Sequence, residues 1–239
     1  MSFVKWFYGK AKSYISMKIS IKKMAWTDLE VSGDSSREIY EELFKTKIKG
    51  KDYIDTQKNI ALLSVPLSYD DYIRGKAKQA LRTNINKASK KGYYCKYFDG
   101  IDYIDDIMSI NCSSDSRGGR EMEERYTNRS MIEEFLNSSP VMFGTFTVEG
   151  KLIGYIQILR INQMFITNKI LGHANFLDTG LMYYMISKLV ESIIKNDPDV
   201  THIMYAKYLV GRSHAGYTYF KERCGFQGTN IRFHLHYSK

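Results

Sequence analysis

The stretch KLIGYIQILRINQMFITNKILGHANFLDTGLMYYMISKLVESI, residues 151–193, decides the fold. It opens with two β-rich runs, Lys151 to Ile161 and Met164 to Asn175, dense in branched and aromatic side chains. The period then changes. Met182, Met185, Ile186, Leu189 and Ile193 fall at i, i+3, i+4, i+7 and i+11, with Lys188, Glu191 and Lys195 opposite, so a long helix carries one apolar side. Asp178 stands where that helix takes its N-cap.

Working upstream, a Glu149-Gly150 turn joins this stretch to Val141–Val148 as a hairpin. Ser130 with Glu133 reads as a capping box for a helix that Pro140 ends. Farther back, Ile60 to Val65 reads as a strand stopped by Pro66, and Ser68 with Asp71 starts a helix carrying Ala77, Leu81, Ile85 and Ala88 as far as Gly92. Tyr93 to Phe98 reads as a strand, Asp102 to Ile110 as a short helix, and Asn111 to Asn128 as a long polar loop, of a length usually reserved for function. Downstream, Val200 to Ala206 reads as a strand, Ser213 to Cys224 as a helix closed by Gly225, and Ile231 to Tyr237 as an alternating final strand. The order predicts an α/β chain of the α+β kind, a mixed, mainly antiparallel twisted sheet flanked by helices.

The 239 residues suit one domain: a basic arm and lead-in over 1–57, and the domain proper over 58–239. With 44 % hydrophobic and 26 % charged residues, the composition excludes a disordered chain. No run of eighteen apolar residues crosses a bilayer, and the first residues lack a secretory pattern. Cys95, Cys112 and Cys224 form no C-x-x-C pair. These features predict a cytoplasmic chain with reduced thiols. The net charge of +9 comes from two patches. Residues 1–24 hold six lysines and no acid, interleaved with Phe3, Trp6, Phe7, Tyr14 and Ile15, which predicts peripheral contact with an anionic membrane. Residues 69–98 hold eight basic side chains, Arg74, Lys76, Lys78, Arg82, Lys87, Lys90, Lys91 and Lys96, against two aspartates; such patches attract phosphates. His234 and His236 lie on one face of the last strand without a third ligand at motif spacing, so no metal is expected.

KLIGYIQI after a hairpin turn, a strand running into LDTGLMYYMISKLVE, and YFKERCGF before a terminal strand together resemble the C-terminal half of the GNAT acyltransferase fold. NINKASKKGYYCKYF and the FK…GF ending resemble its FemAB-like branch, over about residues 60–237. The resemblance implies an enzyme moving an acyl group, in the first place acetyl, from acyl-CoA to an amine of a small acceptor such as an amino sugar or amino acid. It places the CoA pyrophosphate on the amides of Asp178, Thr179, Gly180, Leu181 and Met182, with Asn175 ending the strand before them. The usual paired glycines are absent there; only Gly180 remains.

Transfer to an amine needs a neutral nucleophile, an oxyanion contact and a proton for the leaving thiolate. His173 stands at the strand end as a candidate base. The superfamily's acid tyrosine, counted back from Phe226, falls on Lys221, which leaves Tyr219 or Tyr217 as substitute acids. Arg117, Arg120, Glu121 and Tyr126 of the polar loop are candidates for binding the acceptor, the guanidinium groups forking onto its anionic part. Two other readings stay open: a FemAB-like transferase using aminoacyl-tRNA, whose phosphates the basic helix would meet, and a non-catalytic nucleic-acid module. The second lacks aromatic interleaving in that helix and any RNA-binding motif.

Overall fold

The computed structural model describes residues 15–47, 52–117, 120–208 and 215–236. Residues 15–22 are helical (α1). The first half continues with β1 (Ala25–Val31), α2 (Asp34–Phe44), β2 (Tyr53–Ser64), α3 (Tyr69–Ile73), α4 (Gln79–Ser89), β3 (Tyr94–Phe98) and α5 (Ile104–Cys112). The former loop region holds β4 (Ser116–Arg117), β5 (Arg120–Glu121) and α6 (Glu124–Thr127). Then follow α7 (Arg129–Asn137), β6 (Val141–Phe146), β7 (Leu152–Ile161), β8 (Met164–Gly172), α8 (Leu181–Asn196), β9 (His202–Lys207), α9 (Ala215–Cys224) and β10 (Gln227–Leu235). Among the described residues no helix is long and apolar enough to cross a membrane.

The chain forms two compact units. The first takes the residues up to Ser64, Arg160–Ile166 and those from Val200 onward. In it β1 runs parallel to β10, β10 antiparallel to β2, β2 antiparallel to β9, and β9 parallel to the start of β8 from Met164↔His202 to Ile166↔Met204. Tyr40 and Phe44 of α2 pack on Phe233 at ring distances of 5.0 and 5.3 Å. On the β1–β10 ladder Arg232 forks onto Asp28 with two bonds of 2.8 Å, and His234 adds a third, which holds the Asp28 carboxyl well below the usual range. The last strand begins at Gln227, earlier than its apolar alternation predicts. Asn230 is buried and satisfied: it accepts from the Asn59 N–H at 3.1 Å and donates to Ile21 O at 2.9 Å. The expected junction of lead-in and domain at 57–58 lies within β2.

The second unit takes Val65–Leu159 and Thr167–Asp199. Here β3, β6 and β7 pair antiparallel and β8 neighbours β7. One core cluster joins Ile107 and Ile110 of α5, Ile132 and Leu136 of α7, and Met142, Phe146, Leu152 and Tyr155 of the strands. The other joins Ala88 of α4 and Tyr93 to Ile153, Leu181 and Tyr184. Helix α8 buries Leu181, Met185, Ile186, Leu189, Val190 and Ile193, at roughly 1.5–3 kcal/mol for each such side chain. The stripe read from the sequence is therefore what anchors it.

Three local expectations change. Ser68 does cap the helix that follows it, accepting from the Asp71 N–H at 3.1 Å. That helix nevertheless breaks at Arg74-Gly75, where Gly75 has φ 95° and Arg82 Nη1 donates to both Ile73 O and Gly75 O. Asn128 caps α7 instead of Ser130, accepting from the Met131 N–H; either type serves as a cap, and the chain turns at the earlier one. Asp178 lies inside a 3-10 turn, Ala174–Thr179, and α8 starts from Gly180, in the left-handed region, with no side-chain cap.

Candidate active site

In the second unit the end of β8 is fixed by main-chain and side-chain bonds converging on one turn. The His173 N–H donates to Ile153 O at 2.9 Å, and the Ala174 N–H donates to Ser113 Oγ at 3.0 Å. Arg117 Nη1 donates to Gly172 O at 2.9 Å, and its Nη2 to Ile110 O at 2.7 Å and Ser113 Oγ at 3.0 Å. Arg117 is thus a strut between the C-terminal ends of α5 and β8. The anion fork expected of it is corrected, because open carbonyls at two element ends take its terminal nitrogens. Its Nε is buried without a hydrogen-bond partner.

His173 sits half-buried at this braced turn. Burial, with Lys151 and Arg117 adding positive charge, holds its imidazole below the ordinary value, so the ring is neutral at neutral pH. Its Nδ1 accepts from the Asn175 N–H at 3.3 Å, which leaves the ring proton on Nε2. The geometry gives His173 a donor, suited to a developing oxyanion, where the sequence suggested a base.

The turn that follows holds the other predicted donor-site residues. Asn175 and Asp178 are exposed, Thr179 Oγ1 donates to Phe176 O at 2.6 Å, Leu181 is buried and Met182 half-buried. Lys87 of α4 donates from Nζ to the Asp178 carbonyl, setting an ammonium beside the uncapped start of α8. Gly180 has φ +86°, and a Cβ there would lie 2.4 Å from Asn84 O in the α4 backbone. The glycine therefore lets α4 approach, a role independent of any ligand. Gly180→Ala should cost on the order of 2 kcal/mol or more, read as a lower denaturation midpoint with no ligand present.

Beside the turn, Arg117, Glu121, Met122, Glu123, Tyr126 and the β8 residues Asn168 to Leu171 line a cavity of about 230 Å³. Three residues expected to bind an acceptor, Arg117, Glu121 and Tyr126, thus share one wall set. Below it Asn111 is buried, accepting from Tyr155 Oη and donating to Tyr126 O, both at 2.8 Å. Lys169, which the sequence reading passed over, presents Nζ 3.6 Å from the Phe135 ring centre and 5.4 Å from that of Tyr126. Burial and the nearby Arg125 push its ammonium below the ordinary value. The side chain of Arg120, Gly118-Gly119, the side chain of Tyr217 and residues 1–14 lie outside the described residues.

In the first unit Tyr219 is 48 % exposed on α9, with the Arg223 guanidinium 4.6 Å from its ring centre. Lys221 is only 6 % exposed. Its Nζ donates to Lys207 O at 2.7 Å and Tyr205 O at 3.1 Å, and burial lowers its pKa to about 8. Among the described residues no group of three or more potential ligands is arranged to hold a metal.

No protein-family model matches the chain, and neither does any curated protein. Solved structures do. FemX is similar at TM-score 0.54 and 8 % identity, over 70 % of this chain and 58 % of that one. L-PGS from Bacillus licheniformis is similar at 0.51 and 13 %, over 81 % and 62 %. The C-terminal domain of a putative lysylphosphatidylglycerol synthetase from Agrobacterium fabrum is similar at 0.50 and 10 %, over 76 % and 60 %. The chain spans about three fifths of the length of these structures. They share its fold, the mixed, mainly antiparallel sheet flanked by helices that the FemAB-like resemblance implies.

Proposed function

We propose that this chain transfers an acyl group from acyl-CoA to the amine of a small acceptor. The amine nitrogen attacks the thioester carbonyl, the C–S bond breaks, the thiolate takes a proton from solvent, and the amine releases one to solvent. His173 Nε2–H is the donor assigned to the oxyanion. The observation carrying the donor assignment is the start of α8: a sixteen-residue helix with no side-chain cap and the Lys87 ammonium at its turn. A helix start with no side-chain cap and the helix dipole favour a pyrophosphate there.

The aminoacyl-tRNA reading draws less support from the basic patch than its composition promises. Arg82 is committed to carbonyls, Arg74 pairs with Asp71 at 3.2 Å, and the Lys78 and Lys96 ammonium groups sit over aromatic rings. Calorimetry separates the donors: acetyl-CoA should bind at low salt and Lys87→Ala should weaken it about three- to tenfold. No heat with acetyl-CoA at millimolar concentration, together with tight binding of charged tRNA, would overturn the CoA assignment. Peripheral membrane contact through residues 1–24 stays a proposal, supported by Ile15 and Ile19, 58 % and 48 % exposed on α1 beside Lys22 and Lys23.

A further inference from the structure

We infer that the cavity beside β8 takes an amino-acid zwitterion, its carboxylate on Lys169 and its ammonium on Glu121. The inference rests on the transferase reading only for calling this ligand the acceptor. Lys169 is half-buried against the faces of Phe135 and Tyr126, and among the described residues no carboxylate pairs with it. A cation held off water on two aromatic rings keeps its hydrogen-bonding capacity for something else, and a carboxylate entering the cavity would supply the counter-charge. Among the described residues the nearby guanidinium groups do not compete for that anion. Arg117 is spent on main-chain carbonyls and Ser113, and Arg125 is paired with Glu123 at 2.9 Å.

The same pairing removes Glu123 as a partner for a ligand cation. Glu121 is then the lining carboxylate without an ion pair among the described residues. A free ammonium and a free carboxylate on the walls of one cavity select a ligand carrying both opposite charges, and reject ligands with one. Size narrows the class. About 230 Å³ falls below the roughly 300 Å³ at which drug-sized pockets begin, which suits an occupant of amino-acid size. Asn111 and Tyr155 brace the Tyr126 backbone from below, so the aromatic wall is preorganised for it.

Calorimetry on the full chain, without donor, tests this with glycine, 4-aminobutyrate and 6-aminohexanoate, which vary the charge separation, and with their amides and N-acetyl forms. At least one amino acid should bind, and blocking either end should weaken it about tenfold or more. Lys169→Met should erase the preference for the free carboxylate over the amide, and Glu121→Gln the preference for the free amine. Glu121 is exposed, so its variant folds even if Lys169→Met does not. The inference is overturned if no amino acid binds at millimolar concentration, or if Glu121→Gln leaves the amine preference intact. Amino-acid binding in a chain that binds no acyl donor would sink the transferase reading and leave the cavity assignment standing. Acetylation of simple amines with no gain from a carboxylate would do the reverse.

Discussion

Replacing Lys221 with methionine should remove a rise in stability with pH that the parent chain shows between about 8 and 10.5, while the chain stays folded. Methionine has nearly the same length and suits a buried site. The ammonium is held by Lys207 O and Tyr205 O, and burial brings its pKa from 10.5 to about 8.

The folded pKa of Lys221 lies below its unfolded value, so between about 8 and 10.5 the unfolded chain binds the extra proton and stability rises with pH. Denaturation across that interval should show the slope in the parent chain and lose it in Lys221→Met. A variant that keeps the slope would assign it to a group other than Lys221.

What the sequence makes legible follows from which forces are local. The α8 stripe, the Gly150 hairpin and the alternation of β10 are visible because burial repeats at the period of the element. Caps were less so: Asn128 and Ser130 stand two residues apart with equal chemistry, and only the path of the chain selects one. The site was legible in its loop, since Arg117, Glu121 and Tyr126 line one cavity, but the roles were not. An arginine reads as a ligand contact until the open carbonyls of Gly172 and Ile110 are seen beside it. Lys169 was hidden in the alternation of β8, and its aromatic platform comes from α6 and α7, distant in sequence. The burial of Lys221 was hidden as well. Helix α9 has no apolar stripe to announce that one of its lysines points inward, and a lysine is the residue least expected to be buried.

Arg117→Ala should be the most destabilising change at the site, on the order of 2–3 kcal/mol. The guanidinium satisfies Gly172 O and Ile110 O and shares Ser113 Oγ with the Ala174 N–H. Truncation leaves those two carbonyls without a charged donor in a half-buried place and frees the turn that carries His173. Arg117→Lys keeps the charge but reaches with one nitrogen where two are needed. It should recover only part of the stability. The two consequences separate experimentally. If Arg117 is a strut, both variants should lower the denaturation midpoint with no ligand present, and kcat should fall more than acceptor KM rises because the oxyanion donor is mispositioned. If Arg117 instead grips the acceptor's anion, Arg117→Ala should leave stability near the parent value and raise KM alone. The bonds to Gly172 and Ile110 predict the first pattern, and a pure KM effect would return the arginine to the ligand.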